Sequence, residues 1–179
     1  SYSPLDHSRL WLHMPVTAAL ASGLARCLGP AETDVCFTAG LIHGIGKIAL
    51  SAHSPHVLQD AMEQARQEEL PLIEIEKRTL GFTHVEVGVQ IARTYGLSEQ
   101  LINVLENCYA REQDEISDPL SGVICLARQL ASSWGFSDGI CDGALMSRDK
   151  LFALLKISQK DLDEWTPELR EKMELVVEA

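Results

Sequence analysis

Residues 41–50 read Leu41-Ile42-His43-Gly44-Ile45-Gly46-Lys47-Ile48-Ala49-Leu50, an apolar run interrupted by one imidazole and, a turn later, one ammonium. Each costs desolvation free energy inside a helix unless a site or a tight hydrogen bond satisfies it. Two more histidines fall where helices should meet a core: His13, between Leu10 and Thr17 on one helical face, and His84, opening the segment 83–95. Imidazoles suit zinc and nickel, and a buried cation suits an anion. His7, His53 and His56 lie in loops or helix starts and read as solvated.

Other patterns carry less chemistry. Glu74 and Glu76 stand two apart on a helix, so they point in different directions and read as a solvated face rather than an acid/base pair. Glu86 is accounted for as the partner of Thr83 in a capping box. Gly44-Ile45-Gly46 lacks the preceding strand and the lysine spacing of a phosphate loop. Cys27, Cys36, Cys108, Cys125 and Cys141 are odd in number and form no Cys-x-x-Cys pair. They read as reduced core thiols, and a zinc knuckle is unsupported. The Met and Trp residues follow helical spacing and read as core.

The elements that must position these groups are helices. The chain has 179 residues, 46% hydrophobic but only 6% aromatic, enough for one substantial core of packed helices. Leu10, Met14, Thr17, Ala21, Leu24 and Leu28 form one face of a helix over 10–28, ended by Gly29-Pro30. A second helix over 32–50, apolar nearly all round, is expected to be the buried central one. Ser54-Pro55 starts a third, to about Glu69, and Pro71 a fourth, ended by Gly81. Thr83 opens a helix to Tyr95, Ser98 caps the next, and Asp118-Pro119 starts one with a stripe from Leu120 to Trp134. Ser158 with Asp161, and Thr166 with Pro167, cap two final short helices. The loop 111–118 is the most acidic and exposed-looking stretch. The expectation is a single all-α domain over 1–179.

A formal charge of −11 and the lack of an aromatic platform disfavour nucleic-acid binding. No apolar run approaches the roughly 20 residues of a membrane span, and no signal peptide opens the chain. A cytoplasmic protein is expected. The start at Ser1, without Met, suggests an excised domain.

In this frame the chain resembles the HD superfamily of metal-dependent phosphohydrolases, and more closely its bacterial HDOD branch. The resemblance rests on Leu10-Trp11-Leu12-His13, Ala39-Gly40-Leu41-Ile42-His43-Gly44-Ile45-Gly46-Lys47, Pro71-Leu72-Ile73-Glu74-Ile75-Glu76, Leu80-Gly81-Phe82-Thr83-His84-Val85-Glu86-Val87-Gly88 and Tyr95-Gly96-Leu97, in order over roughly residues 8–110. It implies an HD-type, phosphodiesterase-like helical bundle. The family usually carries another helical lobe before the matched part, and this chain begins too late to contain it.

The resemblance also implies a site and what has become of it. An active HD site holds metal with a first histidine, a His-Asp pair and a later aspartate, because carboxylates offset dication charge. His13 and His43 match the histidines. Gly44 stands where the paired aspartate would be, Asn107-Cys108 where relatives often have two histidines, and Arg128 where the last aspartate would be. Arg128 brings a permanent positive charge. Three readings of His13 and His43 stand side by side: former ligands now hydrogen-bonded in the core, adventitious zinc or nickel ligands, or the wall of a metal-free pocket. In the last, Lys47, Arg128 and His84 would receive a small anion, unless Arg128 pairs with Glu106 and plugs the site. The expected function is a non-catalytic signalling or regulatory module that binds a partner protein or a fused signalling domain and needs no cofactor. The rival is a metal-dependent phosphohydrolase with an altered ligand set, His13, His43 and His84 plus a carboxylate from Asp34, Glu86 or Glu106.

Overall fold

A computed structural model describes residues 7–29, 32–139 and 145–178. Pro30 and Cys141, and the side chain of His7, lie outside the described set. The helices follow one another as α1 (His7–Leu28), α2 (Thr33–Ile42), α3 (Ile45–His53), α4 (Pro55–Glu68), α5 (Leu72–Leu80), α6 (His84–Thr94), α7 (Glu99–Asn107), α8 (Pro119–Ser133), α9 (Arg148–Leu155) and α10 (Gln159–Val177). No strand forms among the described residues, and the extended contact between Arg111 and Leu145 is an isolated bridge. The fold is all-α, as the sequence predicts.

Local chemistry accounts for most helix starts. The Thr83 hydroxyl accepts from the Glu86 N–H while the Glu86 carboxylate accepts from the Thr83 N–H, closing the predicted capping box. Ser98, Asp118 and Ser158 cap α7, α8 and α10 as expected. Ser54 stands at the N-cap position of α4 without a side-chain cap bond, and Pro55 alone supplies the start signal there. Helix α9, capped by Ser147, was not foreseen.

Burial corrects two expectations. The predicted stripe of α1 is buried except for Leu28, and α1 packs against α2, α8 and α10. The central helix is α8, not the 32–50 segment: α8 is buried on nearly every side from Leu120 to Ala131. The 32–50 segment breaks at His43 and Gly44 into α2 and α3, and α2 leaves Phe37 and Leu41 partly exposed. Apolar composition marked that segment as core, but the turn redirects its second half toward α4 and α6. Glycines set how closely it packs. A Cβ on Gly40 would lie 2.6 Å from the Ala18 Cα, and one on Gly46 only 1.8 Å from the His84 carbonyl oxygen. Side chains there would force α1 from α2 and α3 from α6.

Three smaller expectations also change. Residues 33–53 together do have the length and apolar composition of a membrane span, although they fold as two helices packed on α1 and α6. Thr166-Pro167 starts no new helix: α10 runs through Pro167, and the Thr166 hydroxyl bonds the Leu162 carbonyl. The 111–118 loop is pinned rather than merely exposed. The Arg111 N–H donates to Asp114, the Arg111 guanidinium pairs with Glu74, and Lys150 pairs with Glu112.

Candidate functional site

Five helices and three connecting segments bring a set of buried polar side chains together. Helix α1 supplies His13, the α2–α3 turn His43, α3 Lys47, α5 Glu76, α6 His84, and α8 Arg128. The turn after α7 supplies Tyr109 and the segment after α8 supplies Asp138. Tyr109 is the hub. The Arg128 guanidinium carbon lies 3.8 Å from its ring centroid and the Lys47 Nζ lies 4.4 Å from it. The His84 and His43 rings stand 4.7 Å and 6.2 Å away, and His13 lies 5.2 Å from His43 at a steep angle. Cations on an aromatic face gain most where water is excluded, as here.

Hydrogen bonds fix the imidazoles. His13 Nδ1 lies 2.6 Å from the Phe136 carbonyl, and His43 Nδ1 lies 2.7 Å from the Gly40 carbonyl. Carbonyls only accept, so both rings donate from Nδ1. Burial pulls both basicities below the ordinary 6.5, with Arg128 and Lys47 adding to the effect; at His13 the Asp138 carboxylate opposes it. The rings are therefore neutral, with Nε2 as a lone-pair atom. Neither Nε2 has a hydrogen-bond partner among the described residues. Those two nitrogens, with the buried Glu76 Oε1, which likewise has no hydrogen-bond partner among the described residues, are what the site offers a metal. Among the described residues no three His, Cys, Asp or Glu side chains are grouped to hold one.

The charges are balanced internally. Lys47 Nζ lies 2.8 Å from Asp138 Oδ2, both groups buried. Burial pushes the Asp138 carboxyl up, but Lys47, His13 and Arg128 outweigh it and hold the group well below the usual carboxylate range. Glu76 Oε2 accepts from both the backbone N–H of His84, at 3.0 Å, and its Nδ1, at 2.7 Å. Arg128 Nη1 donates to the Cys108 carbonyl at 2.7 Å. Burial pushes the Tyr109 hydroxyl up, so it stays protonated.

His13, His43, Lys47, His84 and Arg128 thus do converge. The remaining expected positions contribute differently. A Cβ on Gly44 would face Met14 and Leu10. The Asn107 amide bonds Asn103, and the Cys108 thiol bonds the Leu105 carbonyl. Glu106 pairs with Arg93, not with Arg128, because it faces outward from α7 toward α6. Asp34 and Glu86 are exposed, Glu86 with its carboxylate on Lys77 and Thr83, so neither joins the imidazoles. Glu76 is fully buried rather than on a solvated face, because His84 gives it two donors. His53 and His56 are exposed, as expected. Cys27, Cys36, Cys108 and Cys125 form no disulfide among the described residues, and burial pushes Cys36 up to about 12 and Cys125 up to about 11.

Sequence reasoning missed Glu76, Tyr109 and Asp138. Asp138 sits in Gly135-Phe136-Ser137-Asp138-Gly139, whose composition says only "turn", and Tyr109 directly follows the Asn107-Cys108 pair. Tyr109 also borders a cleft of about 680 Å³, whose rim carries Glu86, Glu106, Asp114 and Glu115 against Lys77.

A family model for the HDOD domain matches residues 2–110, and the chain belongs to that family. An uncharacterised protein of Treponema pallidum (strain Nichols) is 25% identical over 104 residues, covering 56% of this chain and 20% of that protein. Crystal structures share the fold. An HDOD domain protein of unknown function from Geobacter sulfurreducens matches with a TM-score of 0.78 at 18% identity, over 97% of this chain and 63% of its own. A protein from Shewanella amazonensis SB2B, provisionally described as a phosphohydrolase, matches at 0.72 and 20% identity, over 98% and 65%. One from Marinobacter aquaeolei VT8, provisionally described as a signal transduction protein, matches at 0.71 and 17%, over 93% and 37%. The chain thus spans a fifth of the curated relative and under two thirds of these structures.

Proposed function

We propose that this chain is a non-catalytic regulatory module with a degenerate HD site, acting in the cytoplasm by binding a partner protein or a neighbouring domain. The observation that supports it best is the pair of basic side chains on Tyr109. Lys47 and Arg128 flank the ring, and the buried carboxylate beside them, Asp138, is committed to Lys47. A divalent ion beside His13 and His43 would meet two imidazole nitrogens, no carboxylate grouped with them among the described residues, and two basic side chains. Catalytic zinc takes three protein ligands, and harder dications take oxygens. The residues present do not fit the metal that the fold family implies.

Regulation through a neighbouring domain agrees with the larger size of the relatives, of which this chain spans only a part. Nothing in the proposed role requires a cofactor, nucleic acid or a membrane. A second reading draws on one observation, the unpartnered Nε2 atoms of His13 and His43. It is a phosphohydrolase whose ligand set is completed from elsewhere in a longer protein.

Metal content by mass spectrometry on tag-free protein, with hydrolysis of a generic phosphodiester under added Mn²⁺, decides between them. The regulatory reading expects substoichiometric metal and no turnover. Stoichiometric metal with turnover that His43→Ala abolishes would establish the enzyme.

A further inference from the structure

The segment 136–139 crosses the buried cluster and is fastened to two other helices. The Phe136 carbonyl accepts from His13 on α1, and the Asp138 carboxylate grips Lys47 on α3. The segment is not helical, and within it the Gly139 N–H donates to the Ser137 hydroxyl in a tight turn. Its one carboxylate lies on a group that repels cations and attracts anions, Lys47, and Arg128 sits over the same Tyr109 ring. A side-chain carboxylate is the nearest chemical stand-in for a free oxyanion, and its binding geometry is that of a ligand supplied by the chain itself.

The geometry points to residues 136–139 as an internal latch: Asp138 occupies an oxyanion-binding position at Lys47, and an external oxyanion binds there by displacing it. Competition is the physical content. An intramolecular carboxylate held at its partner acts at a high effective concentration, so an external anion binds only weakly until the latch is released. The oxyanion is a phosphate or a carboxylate, since both match a lysine with an arginine alongside. The neighbouring cleft does not provide the route, because its four rim carboxylates repel anions. Approach is from the latch side, so release of the latch and opening of the site are one event. Once displaced, 136–139 loses its hold on α1 and α3, which converts anion binding into a change in the segment that follows α8. The inference adopts the metal-free reading of the site, and it is tested in EDTA so that metal content and turnover judge that reading separately.

The test is calorimetric titration of the 179-residue chain, in EDTA, with inorganic phosphate and in parallel with acetate. Asp138→Asn removes the internal competitor's charge and should bind one of the two anions at least tenfold more tightly than the wild type. The arm that tightens names the source as phosphate or carboxylate. Lys47→Met/Asp138→Leu removes receptor and competitor together and should bind neither, which also controls for general salting effects. Equal affinity of the wild type and Asp138→Asn, or undiminished binding by the double variant, overturns the latch. If Asp138→Asn does not fold, hydrogen exchange of the wild-type amides at 137–139 replaces it. Saturating phosphate or acetate should speed their exchange at least fivefold, and unchanged exchange in both overturns the proposal.

Discussion

Asp138 Oδ2 lies 2.8 Å from Lys47 Nζ across 91 residues of sequence, and both side chains are sealed from solvent. Two charges in such a place are tolerated only together. Removing one partner leaves the other buried and uncompensated, which costs about 3–5 kcal/mol, whereas replacing both with apolar groups of similar volume is often neutral. Lys47→Met is therefore expected to lose about that much stability, and Lys47→Met/Asp138→Leu to recover most of it. Urea denaturation of both variants reads the difference. Equal destabilisation of single and double variants would show that the pair is not the source.

The α3–α6 crossing makes a sharper prediction at a glycine. A Cβ on Gly46 would lie 1.8 Å from the His84 carbonyl oxygen and 2.8 Å from the Gly88 nitrogen, both backbone atoms that no rotamer change can move. Gly46→Ala should disrupt the packing of α3 on α6 and lower stability by several kcal/mol, beyond the 1–3 kcal/mol typical of about one overpacked methyl. A melting temperature within a few degrees of wild type would contradict the close approach.

Placing at Gly44 the aspartate that the resemblance to active HD sites implies is expected not to create a metal site. A Cβ at Gly44 would meet Met14 Sδ at 3.1 Å, and a thioether can yield, so Gly44→Asp should fold. The new side chain would start from a Cβ that faces Met14 and Leu10, while Lys47 and Arg128 would remain on the Tyr109 ring. Mass spectrometry of Gly44→Asp purified with Mn²⁺ should find well under one ion per chain. Stoichiometric Mn²⁺ would show that Gly44 alone separates this chain from a metalloprotein.

Acid should destabilise the fold over a defined range. Burial, first of all, holds His13 and His43 below the ordinary 6.5; Lys47 and Arg128 face them and act in the same sense, while Asp138 opposes at His13. The unfolded chain therefore takes up protons that the folded chain refuses, and stability falls as pH drops through 6.5. The slope per refused proton is about 1.4 kcal/mol for each pH unit. Asp138, also depressed, adds its loss only as pH falls below its ordinary 3.8. Urea midpoints between pH 7.5 and 5 should decline, and His43→Gln should flatten the decline. Constant stability across that range would mean that the buried imidazoles titrate normally.

Much of the scaffold was legible because its signals are local. Thr83 with Glu86, Asp118 before Pro119, and Ser158 with Asp161 lie within one turn of the amides they cap, so residue type and spacing suffice. The α1 stripe was legible for the same reason. What escaped is non-local. Apolar composition continues through His43 and Gly44, so nothing in it marks the turn that separates α2 from α3. A stripe on one side of α8 does not reveal that α9 and α1 cover its other sides. In the site, His13, His43, Lys47, His84 and Arg128 were legible because a polar group in an apolar helix is costly and stands out. Asp138 did not stand out, since an aspartate among Gly and Ser is ordinary in a turn, and only the fold shows where it is carried.

Glu76 is the residue whose role most contradicts its local appearance, and its pairing with His84 can be measured. One oxygen of its carboxylate accepts two hydrogen bonds from His84, the ring at 2.7 Å and the backbone N–H at 3.0 Å, with both side chains buried. The backbone bond matters separately, because His84 is the first residue of α6 and its N–H has no acceptor inside the helix. Glu76→Ala removes the acceptor for both donors and opens a cavity; each hydrogen bond to a charged group is worth about 1.5–3 kcal/mol, so a loss near the upper end of single-residue effects is expected. Glu76→Gln keeps one acceptor oxygen, which can take both donors but without the carboxylate charge, and should cost less, about 1–3 kcal/mol. His84→Ala in the Glu76→Gln background should cost less than His84→Ala alone, since the two share the interaction. A double-mutant cycle by urea denaturation gives the coupling directly. Strict additivity would mean that Glu76 serves the helix terminus without engaging the imidazole.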